Sequence, residues 1–198
     1  MIRERSALLV IDMQRDFTTA SNLSPEGYAR IQRIIPPLQR LISACRDAGV
    51  PVIYTQEMHR ADGSDFGIEL AYEPEHCIAG SGGEDVIPDL APYPTDETIA
   101  KRRYSAFYQT DLELCLRSKG IERLLLTGIF LDVCVLHTAF DGKARDFWIY
   151  APRECASAET EARSTATFEI IDAVLGYVVP VYDVLEALSA ARVQIRAR

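Results

Sequence analysis

Three residues with the chemistry of a nucleophilic site each close or follow a short apolar run: Asp12, Lys101 and Cys134. Cys134 lies in LLLTGIFLDVCVLHTAFDGKARDF, where a leucine run reaches Thr127-Gly128, turns, and restarts with helical spacing at Val135, Ala139, Gly142 and Ala144. A buried strand, a loop and a helix make half of a βαβ unit. The thiol is then expected in or near the first turn of a helix, where backbone N–H groups and the helix dipole lower its pKa. A single buried cysteine is more often a packing residue, so its neighbours decide. An Asp beside a thiol accepts its proton, and a Lys ammonium beside both keeps the carboxylate ionised and favours thiolate.

The elements that must bring these three together follow from the apolar patterning. Ser6–Asp12 (SALLVID), Pro51–Gln56, Glu97–Lys101, Ile121–Gly128, Phe147–Ala151 and Tyr177–Val181 are expected as strands. Between them, Tyr28–Ala48, Asp111–Lys119 and Glu159–Leu175 carry helical periodicity, and a last helix starts at Tyr182 or Asp183. Pro36-Pro37 predicts a kink or a break in the first of these helices. Alternating strands and helices predict an α/β fold over a single domain, residues 1–198. The expected architecture is a three-layer α-β-α arrangement with a doubly wound, six-stranded, mostly parallel sheet of order 3-2-1-4-5-6. In that order the first and fourth strands flank the switch-point crevice, so Asp12 and Cys134 face one pocket.

The stretch from Glu57 to Pro94 has no sustained period, and a loop of that length in a compact domain is usually functional. It holds Glu57-x-His59, Glu69 and His76. Two imidazoles with two carboxylates form a chemically sensible site for a Zn²⁺-type ion. The bland alternative is that they are polar residues fixing the loop. His137, one helical turn after Cys134, could approach the thiol, but its spacing favours a place against the core or a partner subunit. Arg102 and Arg103 either meet an acidic substrate or are solvated beside Lys101.

The 198-residue chain carries a net charge of −8, which argues against non-specific nucleic-acid binding. No apolar run approaches the ~20 residues that span a bilayer, and the chain enters a strand too early for a signal peptide. Five cysteines without a CxxC pair read as reduced thiols in a cytoplasmic protein. Cys45 and Cys115 sit among apolar neighbours as packing residues.

The segments ALLVIDMQRDF, EPEHCIAGSGGEDVIPDL and KRRYSAFYQTDLELCLRSKGIERLLLTGIFLDVCVLHTAFDGKARDF together resemble the isochorismatase-like cysteine hydrolases. That superfamily contains nicotinamidases, N-carbamoylsarcosine amidases, ureidoacrylate amidohydrolases and isochorismatases. The resemblance covers nearly the whole chain. It implies a catalytic Asp12, Lys101 and Cys134, a cis peptide at Ile129–Phe130, and an oxyanion hole formed by the N–H groups of Phe130 and Cys134. The implied reaction is hydrolysis of a small amide or carbamoyl compound through a thioester. No cofactor is required for that thiol chemistry. Some relatives hold a metal with an Asp-x-His pair, where this chain has Glu57, a longer arm. Phe17 by resemblance, and Phe66, Tyr104, Phe107 and Phe130 by position, are candidates for an aromatic-lined pocket, with core packing as the alternative. Leu131 is a further pocket candidate, standing where many of the amidases carry Thr. A homo-oligomer is implied by the resemblance alone. The isochorismatase branch cleaves a vinyl ether and lacks the cysteine, so KRRYSAF leaves that chemistry as the alternative. A third reading is a silent or redox-responsive relative, against which the intact trio of Asp12, Lys101 and Cys134 argues.

Overall fold

Strands β1 (Ser6–Ile11), β2 (Val52–Glu57), β3 (Glu97–Lys101), β4 (Arg123–Gly128), β5 (Trp148–Pro152) and β6 (Gly176–Val179) form one sheet. Its order is β3-β2-β1-β4-β5-β6, and every pairing is parallel. The computed structural model describes residues 4–196, with side chains to residue 190. Helices α1 (Arg15–Thr18), α2 (Pro25–Ala48), α3 (Leu112–Ser118), α4 (Leu136–Ala144), α5 (Glu161–Ile170) and α6 (Val181–Arg196) wrap it. The strands fall within two residues of the apolar runs.

The strands read as continuous apolar runs because both faces are covered. Ala7, Leu9 and Ile11 of β1 pack with Leu112, Leu116, Val135, Ala139 and Phe168 of the α3, α4 and α5 side. Leu8 and Val10 point the other way, against Ile31, Leu38 and Leu41 of α2 and Val184 and Leu188 of α6. Among the described residues no helix is long and apolar enough to cross a membrane.

The kink or break expected at Pro36-Pro37 does not end the helix, for α2 is assigned as one element with both prolines inside it. Ser24 caps its start by accepting from the Gly27 N–H, and Gly49, at φ 71°, closes it. The missing N–H groups fall where Pro36, Arg33 and Gln32 are wholly or partly exposed, so water can serve the freed carbonyls. The buried stripe of Ile31, Ile34, Ile35, Leu38, Leu41 and Ile42 holds the helix on the sheet across the interruption.

Candidate active site

The carboxyl ends of four neighbouring strands supply the site. Asp12 follows β1, Glu57 ends β2, Lys101 ends β3, and the loop after β4 leads to Cys134. Glu57 and Lys101 are partners in the β2–β3 register. Gly128 closes β4 at φ 100°, and a Cβ there would lie 2.0 Å from the Ile11 carbonyl oxygen. Only glycine permits that approach. It lets the Ile129 N–H donate to Ile11 O at 3.0 Å and draws the cysteine loop against the end of β1. Asp12 itself has φ 51°, a conformation uncommon for a residue with a side chain. Thr55 holds it there, donating to Oδ1 at 2.6 Å and accepting from the Asp12 N–H at 3.2 Å.

The peptide bond between Ile129 and Phe130 is cis. Beyond it the chain makes a π-helical turn, Leu131–Val135, before α4. Cys134 lies within that turn and is 5% exposed. Lys101 Nζ is 2.8 Å from Asp12 Oδ2, 2.5 Å from Glu57 Oε2 and 3.6 Å from Cys134 Sγ. Sγ and carboxylate oxygens of Asp12 and Glu57 all lie within 4.8 Å of one another.

Burial opposes the Lys101 ammonium, but Asp12, Cys134 and Glu57 outweigh it and hold its pKa well above the usual value. Glu57 is also buried, yet Lys101 and the two histidines keep it ionised, well below the carboxylate range. Asp12 is raised, chiefly by burial and also by Glu57, against the pull of Lys101. Cys134 is pushed well above its ordinary value, first by burial and then by both carboxylates, with Lys101 opposing. The low thiol pKa expected from a helix start is therefore overturned. Desolvation dominates, and Lys101 divides its charge between two carboxylates. Thiol and carboxyl thus both hold a proton more tightly than they would in water.

A second cluster adjoins the first. Glu57, His59, Glu69 and His76 are all buried, and one donor atom of each lies within 4.8 Å of the others. Glu57 Oε1 is 3.4 Å from His59 Nε2 and 3.3 Å from His76 Nε2. The opposite ring nitrogens are engaged elsewhere: His59 Nδ1 lies 3.3 Å from Asp65 Oδ1, and His76 Nδ1 2.8 Å from Pro74 O. That is how metal-binding imidazoles are oriented from behind. Glu69 Oε1 is buried without a hydrogen-bond partner, 3.7 Å from His76 Nε2. The cluster attracts positive charge. Burial pulls His76 down, but the hydrogen bonds to Glu57 and Pro74 O and the charges of Glu57 and Glu69 together raise it to about 9.

A cavity of 670 Å³ opens on Cys134, walled by Phe17, Tyr72, Tyr104, Phe130 and Arg163. A neighbouring cavity of 510 Å³ shares Tyr72 and Tyr104 and adds Phe66, Tyr108 and His137.

The isochorismatase domain profile matches residues 6–183. The chain belongs to the isochorismatase family. It is 34% identical over 156 residues to an N-carbamoylsarcosine amidase of Arthrobacter sp., a match covering 76% of this chain and 58% of that protein. It is 28% identical over 207 residues to the ureidoacrylate amidohydrolase RutB of Enterobacter sp. (strain 638), covering 94% and 90%. Among solved structures, a cysteine hydrolase from Pseudomonas syringae pv. phaseolicola 1448A superposes with a TM-score of 0.89 at 27% identity, over 96% of this chain and 95% of that one. This member of the isochorismatase family is a hydrolase with amidohydrolases among its relatives.

The structure brings Asp12, Lys101 and Cys134 together, and separately gathers Glu57, His59, Glu69 and His76. Phe17, Tyr104 and Phe130 line the Cys134 cavity. Three expected pocket residues do not. Phe107 is buried in the core of this family member, with its ring 5.8 Å from that of Phe147, because the Ala106 N–H bonds Thr138 and turns the segment onto α4. Leu131 is fully buried in the same core, its N–H bonded to Ser157 O. Phe66 lies in the neighbouring cavity and stacks on His59 at 3.7 Å. His137 is exposed rather than core-facing, its Nδ1 2.8 Å from Val133 O. Arg102 pairs with Asp65 at 2.8 Å. Sequence reasoning missed Thr55 and Gln14. Gln14 bonds both the N–H and the C=O of Glu57, and an uncharged polar residue just past a strand end was its only signal.

Proposed function

We propose that this hydrolase is a cysteine-dependent amidohydrolase that cleaves the C–N bond of a small amide or carbamoyl compound through a thioester. The observation that carries the reading is one ammonium, Lys101 Nζ, 2.8 Å from Asp12 and 3.6 Å from Cys134 at a cavity wall. Asp12 takes the proton from Cys134 Sγ as sulfur bonds to the substrate's carbonyl carbon. The N–H groups of Phe130 and Cys134 receive the developing oxyanion. As the C–N bond breaks, Asp12 returns the proton to the departing nitrogen, which leaves as ammonia or an amine. Water then attacks the thioester and gives a proton to Asp12. The C–S bond breaks and that proton passes back to sulfur. Lys101 stays charged throughout, offsetting negative charge as it moves between Asp12, the oxyanion and Cys134. The raised proton affinity of Asp12, set chiefly by its burial, suits it to accept the Cys134 proton and pass it on.

The second cluster suits a divalent cation of the zinc class, held by Glu57, His59, Glu69 and His76. The unpartnered Glu69 oxygen and the two ring nitrogens facing Glu57 support that fit. When bound, such an ion supplies a Lewis acid beside the substrate cavity. The chain's own residues fix both rings from behind through Asp65 and Pro74.

The test is a screen for ammonia release from nicotinamide, N-carbamoyl amino acids, ureidoacrylate and biuret, run beside a vinyl-ether cleavage assay. Ammonia release that disappears in Cys134→Ala supports the reading. Vinyl-ether cleavage that survives the substitution overturns it in favour of the isochorismatase reaction. Peroxide-sensitive thiol chemistry with neither turnover would favour the redox-responsive reading.

A further inference from the structure

We infer that Glu57 is a positioning residue shared by the two clusters, coupling the placement of the Lys101 ammonium to cation occupancy of the histidine–glutamate cluster. The inference rests on the cation reading given above and extends it. A single carboxylate faces both ways. Oε2 is 2.5 Å from Lys101 Nζ and 4.0 Å from Cys134 Sγ, while Oε1 faces both histidine Nε2 atoms at 3.3 and 3.4 Å. Three features keep it from choosing one side. Glu57 is the last residue of β2 and pairs in register with Lys101. Gln14 grips its backbone, donating to Glu57 O at 2.7 Å and accepting from Glu57 N at 2.8 Å. Its side chain is fully buried, so bulk solvent screens neither contact.

The extra methylene of Glu over Asp thus spans two centres. A cation at the histidines and the ammonium of Lys101 draw on the same negative charge, so each weakens the other's hold. By linkage the effect is reciprocal: what the ammonium takes from cation affinity, the cation takes from the ammonium. An occupied cluster leaves Lys101 to Asp12 and Cys134 alone.

The test is a double-mutant cycle on Co²⁺ affinity by titration calorimetry. It is run in the Cys134→Ala background, so that the thiol cannot act as a ligand. Lys101→Met is expected to raise Co²⁺ affinity about tenfold. Glu57→Gln should lower it, and in that background Lys101→Met should change it little. An equal gain with and without Glu57 would mean that the ammonium acts through space, and would overturn the inference. So would the absence of Co²⁺ binding to the parent protein.

A second measurement does not require Lys101→Met to fold. With Cys134 intact, Co²⁺ should raise the rate of iodoacetamide alkylation of Cys134 several-fold at fixed pH. Glu57→Asp, too short to span both centres, should keep binding the cation and lose that response. A response retained in Glu57→Asp overturns the inference. Neither readout uses a substrate, so a failed amidase screen leaves both intact.

Discussion

The two buried clusters share Glu57 but are built differently. Asp12, Lys101 and Cys134 come from three chain segments and are placed by the sheet: two strand ends and a glycine-tightened turn after a third. His59, Glu69 and His76 come from one long loop and are placed by local hydrogen bonds, through Asp65 and the Pro74 carbonyl. In the first cluster one ammonium is shared between two carboxylates. The second keeps an unpartnered carboxylate oxygen and attracts positive charge. A register-built site holds reacting atoms in fixed geometry, whereas a loop-built site with spare donors suits an exchangeable ligand.

The largest break in that comparison is Cys134→Ala. Turnover on any amide found in the screen should fall at least about 10⁴-fold. Mass spectrometry of the native protein quenched with substrate should show the acyl adduct on Cys134, and the variant should show none. Next is Asp12→Asn, which keeps shape and removes the proton acceptor. The expected loss in kcat is about 10²- to 10⁴-fold, with KM little changed, as steady-state kinetics would show. If Asp12→Asn moved KM alone, Asp12 would be a binding group and not the base. On the other side of the comparison, His76→Ala should lower Co²⁺ affinity about 10- to 100-fold by calorimetry. The protein should nonetheless stay folded by circular dichroism, since His76 lies outside both hydrophobic core clusters.

The same contrast explains what the sequence could reveal. Apolar runs bounded by turn residues mark parallel strands, and their carboxyl ends are the place to look for chemistry. Asp12 and Lys101 were legible on that ground, and the sheet order with them. Glu57 was legible as a potential ligand but not as the partner of Lys101. Pro51–Gln56 ended the expected strand one residue early, and register between strands is a property of pairing that no single run displays. The direction of the thiol's pKa shift was misread because desolvation depends on the assembled pocket. Phe107 and Leu131 were misplaced for a related reason. Aromatic or apolar character says that a residue is buried, not which of two faces it joins. His137 and Ala144 each stand two residues from a buried member of the α4 stripe, Ala139 or Gly142, and so fall on its exposed face.

The finest test substitutes one supporting residue in each cluster. Thr55→Val is nearly isosteric and removes the hydroxyl that donates to Asp12 Oδ1 and accepts from its N–H. Hydrogen bonds to charged groups contribute about 1.5–3 kcal/mol, so thermal unfolding should show a stability loss of that order. If Thr55 also holds Asp12 in its left-handed conformation against Cys134, kcat should drop by about tenfold, the equivalent of about 1.4 kcal/mol. Cation affinity should barely move. Asp65→Asn weakens the group behind His59 Nδ1 and should do the reverse, lowering Co²⁺ affinity about tenfold while Cys134 alkylates as before. A Thr55→Val variant that lost cation affinity, or an Asp65→Asn variant that lost thiol reactivity, would mean that the clusters are joined through more of the structure than Glu57. The sheet would then not insulate the nucleophile from the loop, and the division between a register-built and a loop-built centre would fail at its supports.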